Sequence, residues 1–379
     1  MTFEPLKGVK VLDMSRLIPG GLATRRLADF GADVVKVEEP GRGDYLRTIP
    51  PIFEGIGEMH LSLNRGKRSI ALNIHDPNDR AVFDQLATVA DVIVEVSRPG
   101  RYAELGIDFA GLRASRPELV VCSVTGFGQD GPEALTPSHG MNMDALAGCV
   151  QIDRSGERVT LGRGQLSLAA ELGGVNAALA IVAAVLQSRI TGQGTWIDAS
   201  CWDAAVDANR MWLSHLAATG EPLTDIADMG ALYDVYETSD GRVVLIAFIE
   251  RKFFTSFCEG IGRQDLLDRW EGQDVSFGTG DSELADELTA IFASATAEQW
   301  HQRFLEWDLP GTEVLDHASL LTHPHFAARG LMTTGGPGDE FPQFANPISL
   351  IGEGRPGATL RPAPGLGADH DTVLRDWLG

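Results

Sequence analysis

Alternating strand and helix patterns fill the first half of the 379-residue chain. Short apolar runs are separated by segments with helical periodicity, an order that is typical of β-α-β units. A helix is predicted over 19–30, and Asp76 followed by Pro77 predicts the start of another that ends near residue 90. Strands are predicted at residues 9–13, 33–37, 69–74, 91–96, 119–124 and 195–199. The alternation predicts a mostly parallel sheet covered on both faces, in a Rossmann-like α/β layout.

A segment rich in alanine and leucine, residues 166–190, is predicted to form a helix that is packed on most sides. Glu171 lies in its first turns, where burial of an unpaired charge is costly. Gly173 and Gly174 follow, and each glycine costs a helix about 1 kcal/mol relative to alanine. One interpretation is a functional carboxylate beside bare backbone that a substrate approaches. The other is an acidic residue that the helix dipole stabilises, and the sequence leaves both open.

A second, smaller domain is predicted to begin near Gly230. Asp240-Gly241 lies between the apolar runs 233–238 and 242–248, and this dipeptide is preferred in tight hairpin turns. Further helices are predicted over 251–261, 282–293 and 371–378. Another is predicted to begin at Thr296, which opens a capping box with Gln299.

Composition excludes several classes of partner. The chain has 53 acidic and 31 basic residues, and its net charge of -22 argues against nucleic acid or an anionic membrane. The first residues lack the layout of a signal peptide, and the longest apolar run, 177–186, is shorter than the ~20 residues that span a bilayer. A cytoplasmic protein is expected. The cysteines, which form no CxxC pair, are expected to be core residues and not disulfide or zinc ligands: Cys122, Cys149, Cys201 and Cys258.

Basic residues cluster at 64–68 and again at Arg98 and Arg101, against this acidic background. The contrast is compatible with a phosphate or carboxylate site and equally with a solvated surface.

Two other motifs are interpreted as loops. Gly126-Phe-Gly-Gln-Asp-Gly131 matches a dinucleotide fingerprint, but prolines follow it where a helix should begin, so a turn is predicted. His323-Pro-His325 suggests a metal site, yet no third ligand is apparent.

Several runs together resemble the class III CoA-transferase (CaiB/BaiF) family, and they lie at residues 12–16 with 19–20, 27–38, 64–70, 98–100 and 126–132. The runs at 232–241, 249–253 and 324–329 are most similar to its α-methylacyl-CoA racemase branch. The resemblance implies a large Rossmann-like domain built from both chain ends, a small α+β domain, and two chains that form an interlocked homodimer. Active sites in the family lie between the large domain of one chain and the small domain of the other.

The expected domain boundaries combine the resemblance with the sequence pattern, in which 207–228 is interpreted as a connection because Gly220-Glu-Pro222 breaks its helical spacing. Residues 1–206 are expected to begin the large domain and 331–379 to complete it. The small domain is expected at 229–308, between linkers at 207–228 and 309–330.

The racemase branch implies a catalytic set of three residues. His139 and Glu171 would flank the acyl α-carbon, with Glu171 where the family has aspartate, and Glu250 would hold the imidazole of His139. The implied reaction epimerises 2-methyl-branched acyl-CoA thioesters by removing and returning the α-proton through an enolate. It needs no metal or organic cofactor, because CoA belongs to the substrate. Backbone N–H groups near Gly173 and Gly174 are expected to stabilise the enolate oxygen.

Two alternatives remain open. In the transferases of the family, the carboxylate at the position of Glu171 attacks the thioester and forms an acyl anhydride. The other alternative is a non-catalytic paralogue paired with an active homologous subunit, which the changes in the expected nucleotide site suggest.

The residues expected to contact CoA follow from the same resemblance. Leu17, Leu72 and Arg98 fit the family pattern, whereas His75 replaces a lysine and Ser97 replaces an aromatic residue. Glu104 stands in place of an arginine, and compensation by the basic residues 65–68 is left open.

Overall fold

A computed structural model describes residues 3–162, 164, 166–223, 230–270, 274–278, 280–334, 340–357 and 361–379. The chain divides into two compact units, of which the first comprises Met1–Arg210 with Arg329–Gly379 and the second Met211–Ala328. The elements from the N-terminus to residue 208 are β1 (Lys10–Asp13), α1 (Leu17–Asp29), β2 (Asp33–Glu38), a 3₁₀ turn (Tyr45–Arg47), β3 (Ile52–Phe53), β4 (Ile56–Gly57), α2 (Glu58–Leu63), β5 (Arg68–Ala71), α3 (Pro77–Val89), β6 (Val92–Glu95), α4 (Arg101–Glu104), α5 (Phe109–Ser115), β7 (Val120–Thr125), α6 (Met141–Leu146), β8 (Ile152–Asp153), β9 (Thr160–Leu161), α7 (Leu168–Thr191), β10 (Trp196–Ser200) and α8 (Cys201–Ala208).

The remaining elements lie in the second unit and in the C-terminal part of the first. They are α9 (Arg210–Thr219), β11 (Val235–Glu237), β12 (Val243–Ile246), α10 (Arg251–Ile261), α11 (Gln264–Leu267), α12 (Ser282–Phe292), α13 (Ala297–Glu306), β13 (Gly311–Glu313), α14 (His317–Thr322), α15 (Pro324–Arg329), β14 (Met332–Thr334), β15 (Pro342–Phe344) and α16 (His370–Leu378).

The central sheet of the first unit has the order β10-β7-β6-β1-β2-β5, and all its strands are parallel. The chain builds β1, β2 and β5 outward in one direction and then returns to place β6 on the other side of β1. This reversal is a topological switch point, where doubly wound sheets open a crevice at the carboxyl ends of the strands. The predicted parallel α/β sheet is confirmed. Strand β5 ends at Ala71, earlier than predicted, because residues 72–75 leave the sheet at this edge.

Two hydrophobic clusters cover the two faces of this sheet. On one face, Val11 and Val94 pack with Leu27 of α1 and Ile181 of α7. On the other, alternate strand residues pack with α3, α5 and α16, a group that includes Leu12, Ile93, Phe83, Phe109 and Trp377. Successive residues of a strand point to opposite faces, and both faces are buried. The strands therefore appear in the sequence as continuous apolar runs.

The C-terminal segment is fastened to the N-terminal part of the first unit. Trp377 of α16 donates from Nε1 to Asp33 Oδ2 at 2.8 Å, and the Gly66 amide donates to the Arg361 carbonyl at 2.9 Å. The side chain of Gln343 in β15 also donates to the Leu61 carbonyl at 3.3 Å.

Helix α7 is the one helix of the described residues that is long and apolar enough to cross a membrane. Length and composition are weak evidence, because the core helix of a globular protein meets the same criterion. Half of its apolar stretch is buried, and Ala177, Ile181 and Ala184 belong to the hydrophobic cluster on the sheet.

The second unit has a three-stranded antiparallel sheet in the order β11-β12-β13 with an aromatic core that includes Phe248, Phe257, Phe292 and Trp300. The predicted hairpin and the capping box of Thr296 and Gln299 are confirmed. The segment expected as the first linker, 207–228, contains helix α9. In the segment expected as the second linker, 309–330, β13 pairs with β12.

Candidate active site

A cavity of about 900 Å³ opens at the carboxyl edge of the central sheet, within the first unit. This volume lies in the usual range for sites that bind small molecules and cofactors. Its walls come from the segments that follow β1, β2, β5, β6 and β7, so the cavity occupies the topological switch point.

The residues that were expected to contact CoA all line this cavity. Leu17 begins α1 after β1, Leu72 and His75 follow β5, and Ser97 and Arg98 follow β6. Glu104, at the end of α4, lines it as well. The structure therefore brings together residues from three separate strand ends. Their contact with CoA remains a prediction.

Sequence reasoning missed an aromatic and cationic part of the same wall. The guanidinium groups of Arg16 and Arg42 lie 5.7 and 4.8 Å from the ring centroid of Tyr45, and both Arg16 and Tyr45 line the cavity. Cations over aromatic faces are stabilised by the ring quadrupole. The only signal in the sequence was that Arg16 directly precedes α1, the helix that follows the first strand. The N-termini of helices commonly bind anions.

The basic cluster at residues 64–68 is largely buried and paired with carboxylates, so both interpretations of it, a free anion site and a solvated surface, are wrong. Arg65 pairs with Asp29 at 2.7 Å, Lys67 with Asp13 at 3.0 Å, and Arg68 with Asp33. Lys67 is fully buried. These cations are occupied by carboxylates of the same unit and do not compensate for the changes at His75, Ser97 and Glu104.

Burial would raise the pKa of Asp13, but the ammonium groups of Lys67 and Lys36 outweigh it and lower the pKa to about 2. Asp13 therefore stays ionised beneath the loop that enters α1, where its carboxylate also accepts from the Ser15 amide at 2.9 Å. Removal of either ammonium would leave buried charge unpaired.

His139 lies in the loop between β7 and α6, is exposed, and lines the cavity. Its backbone is fixed by Asn142, whose Oδ1 accepts from the His139 amide at 2.9 Å. Ser138 packs against Gly126, where a Cβ atom would meet the Ser138 hydroxyl oxygen at 2.0 Å. Because Gly126 has no side chain, Ser138 and the loop that carries His139 can pack against it. The turn predicted at Gly126–Gly131 is confirmed, since no helix follows it directly.

Glu171 is an exposed residue in the first turn of α7. Ala170, directly before it, lines the cavity, whereas Glu171 is not among the lining residues. The start of α7 is fixed by Asp144 of α6, whose carboxylate accepts from the Ser167 hydroxyl at 2.7 Å and from the Ala169 amide at 2.8 Å. The His139 loop and the Glu171 turn are thus joined through α6.

The expected role of Gly173 and Gly174 is wrong. Both are buried and serve close helix packing, because a Cβ on Gly173 would meet Cys201 Sγ at 2.6 Å and one on Gly174 would meet the Pro19 carbonyl at 2.7 Å. The free amides at the start of α7 are also occupied: Ala169 donates to Asp144, and Ala170 donates to the Ser167 hydroxyl at 3.3 Å. The amides of Ala169 and Ala170 are therefore not available to an enolate oxygen.

Glu250 belongs to the second unit, where it precedes α10. Its carboxylate pairs with the Lys252 ammonium at 2.9 Å. The interpretation of His323-Pro-His325 as a loop is wrong: α14 ends at Thr322 and α15 begins at Pro324, so the motif joins two helices. The His325 amide donates to His323 Nδ1 at 3.2 Å.

Glu95 is a buried acid that sequence reasoning did not single out. It ends β6 beside the switch point, and its Oε2 accepts from the Ser97 amide at 2.6 Å. Burial raises the pKa of Glu95 to about 7, although hydrogen bonds from Ser123 and Ser97 act in the opposite direction. An acidic residue at the end of a wholly apolar strand was the available signal.

The fold and the cavity define an α/β protein of the class that binds its ligand across the carboxyl edge of a doubly wound sheet. Residues 6–370 match the sequence profile of CoA-transferase family III, and the chain belongs to this family of enzymes.

Three comparisons describe the relationship further. The chain is 31% identical to human succinyl-CoA:glutarate CoA-transferase, over 92% of this chain and 84% of that protein. It is 30% identical to human alpha-methylacyl-CoA racemase, over 98% and 93% of the two chains. The crystal structure of a CaiB/BaiF family protein from Brucella suis superposes with a TM-score of 0.81 at 25% identity, covering 99% of this chain and 100% of that one.

Proposed function

We propose that this protein epimerises 2-methyl-branched acyl-CoA thioesters by moving the α-proton between His139 and Glu171. The observation that carries the proposal is the imidazole of His139 on the wall of the cavity that the expected CoA contacts also line. Histidine is the side chain best suited to accept and return protons near neutrality. CoA is part of the substrate, and the reaction requires no metal or organic cofactor.

The reaction is balanced without a co-reactant. A base on one face takes the α-proton, the electron pair of the C–H bond moves toward the thioester oxygen, and an acid on the opposite face returns a proton to carbon. His139 and Glu171 exchange these roles with the direction of the reaction. The human racemase to which the chain is similar supports this assignment.

The test uses one epimer of 2-methylbutanoyl-CoA in deuterated water. Incorporation of deuterium at the α-carbon together with loss of optical purity, in the absence of any free acid, is the expected result. If the wild-type protein binds this thioester and incorporates no deuterium, the epimerase assignment is wrong.

CoA transfer through Glu171 is the second candidate, and the similarity to human succinyl-CoA:glutarate CoA-transferase favours it. The carboxylate would attack the thioester carbon, expel CoA as a thiolate and form an acyl anhydride that a second carboxylate then opens. Appearance of CoA on added succinate or glutarate, and inactivation by hydroxylamine only when acyl-CoA is present, would select it. Absence of CoA binding in calorimetry would instead favour a non-catalytic paralogue.

We also propose that the working form is a homodimer in the cytoplasm. Helix α7 exposes apolar side chains on the turns that follow Glu171, at Val175, Leu179, Leu186 and Ile190, with exposed fractions of 44 to 74%. Contiguous exposed apolar surface marks interaction sites, and a second chain would cover the Glu171 turn together with this face. Sedimentation equilibrium is expected to give twice the mass of one chain, and Leu179→Glu is expected to shift it toward the monomer. A monomeric wild-type protein at micromolar concentration would contradict the proposal.

A further inference from the structure

The thioester oxygen needs a hydrogen-bond donor, and the amides of Ala169 and Ala170 at the start of α7 are already bonded within the protein. In epimerisation this oxygen becomes an enolate oxygen, and in CoA transfer it becomes the oxyanion of a tetrahedral intermediate. Either charge must be stabilised by a donor placed in advance, because one such donor is typically worth about 10²–10³ in rate. The amides near Gly173 and Gly174 lie in a packed helix.

The hydroxyl of Thr125 is unpaired in a place where an unpaired hydroxyl is unfavourable. Thr125 is the last residue of β7 and 6% exposed, and its Oγ1 has no hydrogen-bond partner among the described residues. Buried hydroxyl groups nearly always find a partner, so an exception calls for an explanation such as a ligand.

Thr125 also lines the cavity. Of the buried side-chain polar atoms that lack a partner in the described part of the chain, its Oγ1 is the one whose residue belongs to the cavity wall. Burial without a partner and position at the carboxyl edge of the sheet are separate observations, and both point to a group that enters the cavity.

The position of Thr125 relates it to His139. Thr125 is followed by Gly126, against which Ser138 packs, and Ser138 is followed by His139. Gly126 and Ser138 line the cavity together with Met143 of α6. Thr125 and His139 therefore belong to the same cavity and are connected through the contact of Gly126 with Ser138.

We propose that Thr125 is a catalytic residue whose hydroxyl donates a hydrogen bond to the thioester oxygen of the bound acyl-CoA. The inference rests on the proposed acyl-CoA chemistry and applies to both of its forms. The hydroxyl keeps its proton throughout. It stabilises the negative charge that develops on oxygen while the α-proton moves to His139 or Glu171, or while Glu171 attacks the carbonyl carbon.

The test compares Thr125→Val, which replaces the hydroxyl by a methyl of similar size, with Thr125→Ser, which keeps it. The measurement is the rate of α-deuterium incorporation into 2-methylbutanoyl-CoA, with kcat and KM resolved. Thr125→Val is expected to lower kcat by about 10²–10³ and to change KM by less than about threefold, because the bond strengthens in the transition state. Thr125→Ser is expected to retain most of the activity.

A structural role of the hydroxyl would lower the thermal midpoint of Thr125→Val. The Thr125 hydroxyl has no partner to lose among the described residues, so we expect a midpoint no lower than that of the wild type, with CoA bound as before. Thr125→Ala serves as a second hydroxyl-free variant if the valine form does not fold, and it is expected to be equally slow.

Three outcomes would overturn the inference. Wild-type kcat in Thr125→Val would remove the hydroxyl from the mechanism. A Thr125→Ser variant as slow as Thr125→Val would assign the effect to packing. If the wild-type protein neither exchanges deuterium nor transfers CoA to succinate or glutarate, the proposed function fails and this inference fails with it. An active wild type with an equally active valine variant refutes the inference alone.

Discussion

Replacement of His139 by alanine is expected to slow α-proton exchange by about 10²–10⁴-fold, the usual contribution of a positioned acid or base. The thermal midpoint should stay close to that of the wild type, because the side chain is exposed and its backbone contact with Asn142 survives the substitution. Exchange is measured in deuterated water with 2-methylbutanoyl-CoA, and affinity for CoA by calorimetry.

His75→Ala is the matched control, since this imidazole is also exposed and also lines the cavity. It lies among the expected CoA contacts, so its loss should raise KM and leave kcat within about twofold. Wild-type exchange in the His139 variant would remove this residue from the mechanism.

Glu171 variants separate the two candidate reactions. Glu171→Gln keeps the size of the side chain and removes its basicity and nucleophilicity, so it should abolish epimerisation and CoA transfer alike. His139→Ala should slow epimerisation by about 10²–10⁴-fold and spare transfer, because the anhydride route needs only the carboxylate. Glu171→Asp withdraws the carboxylate by about 1 Å and is expected to cost about 10²-fold in a site built around glutamate.

The sheet could be predicted from sequence because its signal is local. Parallel strands are buried on both faces and read as short apolar runs between helices, as at Val120–Thr125. Helix starts carry their own chemistry, as Asp76 does when its carboxylate accepts from the Asn78 amide at 2.9 Å. The predicted end of β5 was wrong, because residues 72–75 include apolar side chains that line the cavity and do not belong to the sheet.

The partners of charged and small residues could not be predicted, because they are set by contacts between distant parts of the chain. Lys67 has the same local sequence whether it meets a phosphate or Asp13, and only the fold brings that carboxylate to 3.0 Å. Gly173 and Gly174 indicate that something approaches the helix closely. Sequence did not indicate that Cys201 and Pro19 are those neighbours.

The cavity residues were found by resemblance and not by pattern. Leu17, Leu72 and Ser97 are separated by many residues and share no periodicity, and they meet because each follows a parallel strand whose carboxyl end lies at the same edge. Thr125 and Glu95 occupy corresponding places at the ends of β7 and β6. The ends of strands next to the switch point are therefore the positions at which polar residues in apolar runs indicate function.

Replacement of Glu95 by glutamine is expected to stabilise the protein at alkaline pH and to have no effect near pH 4.5. The folded-state pKa of Glu95 is about 7 and its ordinary value is 4.5, so the folded state holds the proton more tightly than the unfolded state. Stability is therefore lost as the pH rises between these two values, and the full cost above pH 7 is about 3 kcal/mol, at about 1.4 kcal/mol per unit of pKa.

Glutamine removes that cost and keeps an oxygen to accept from the Ser97 amide. Thermal unfolding of wild type and Glu95→Gln at several values between about pH 5 and about pH 8 should show a midpoint difference that grows with pH. Glu104→Gln is the control, because it makes the same substitution at an exposed glutamate. A midpoint difference for Glu95→Gln that is constant over this range would mean that Glu95 carries no excess proton in the folded protein. The same carboxyl group holds the Ser97 amide, so a flat profile would also leave the start of the expected CoA-binding segment insensitive to pH.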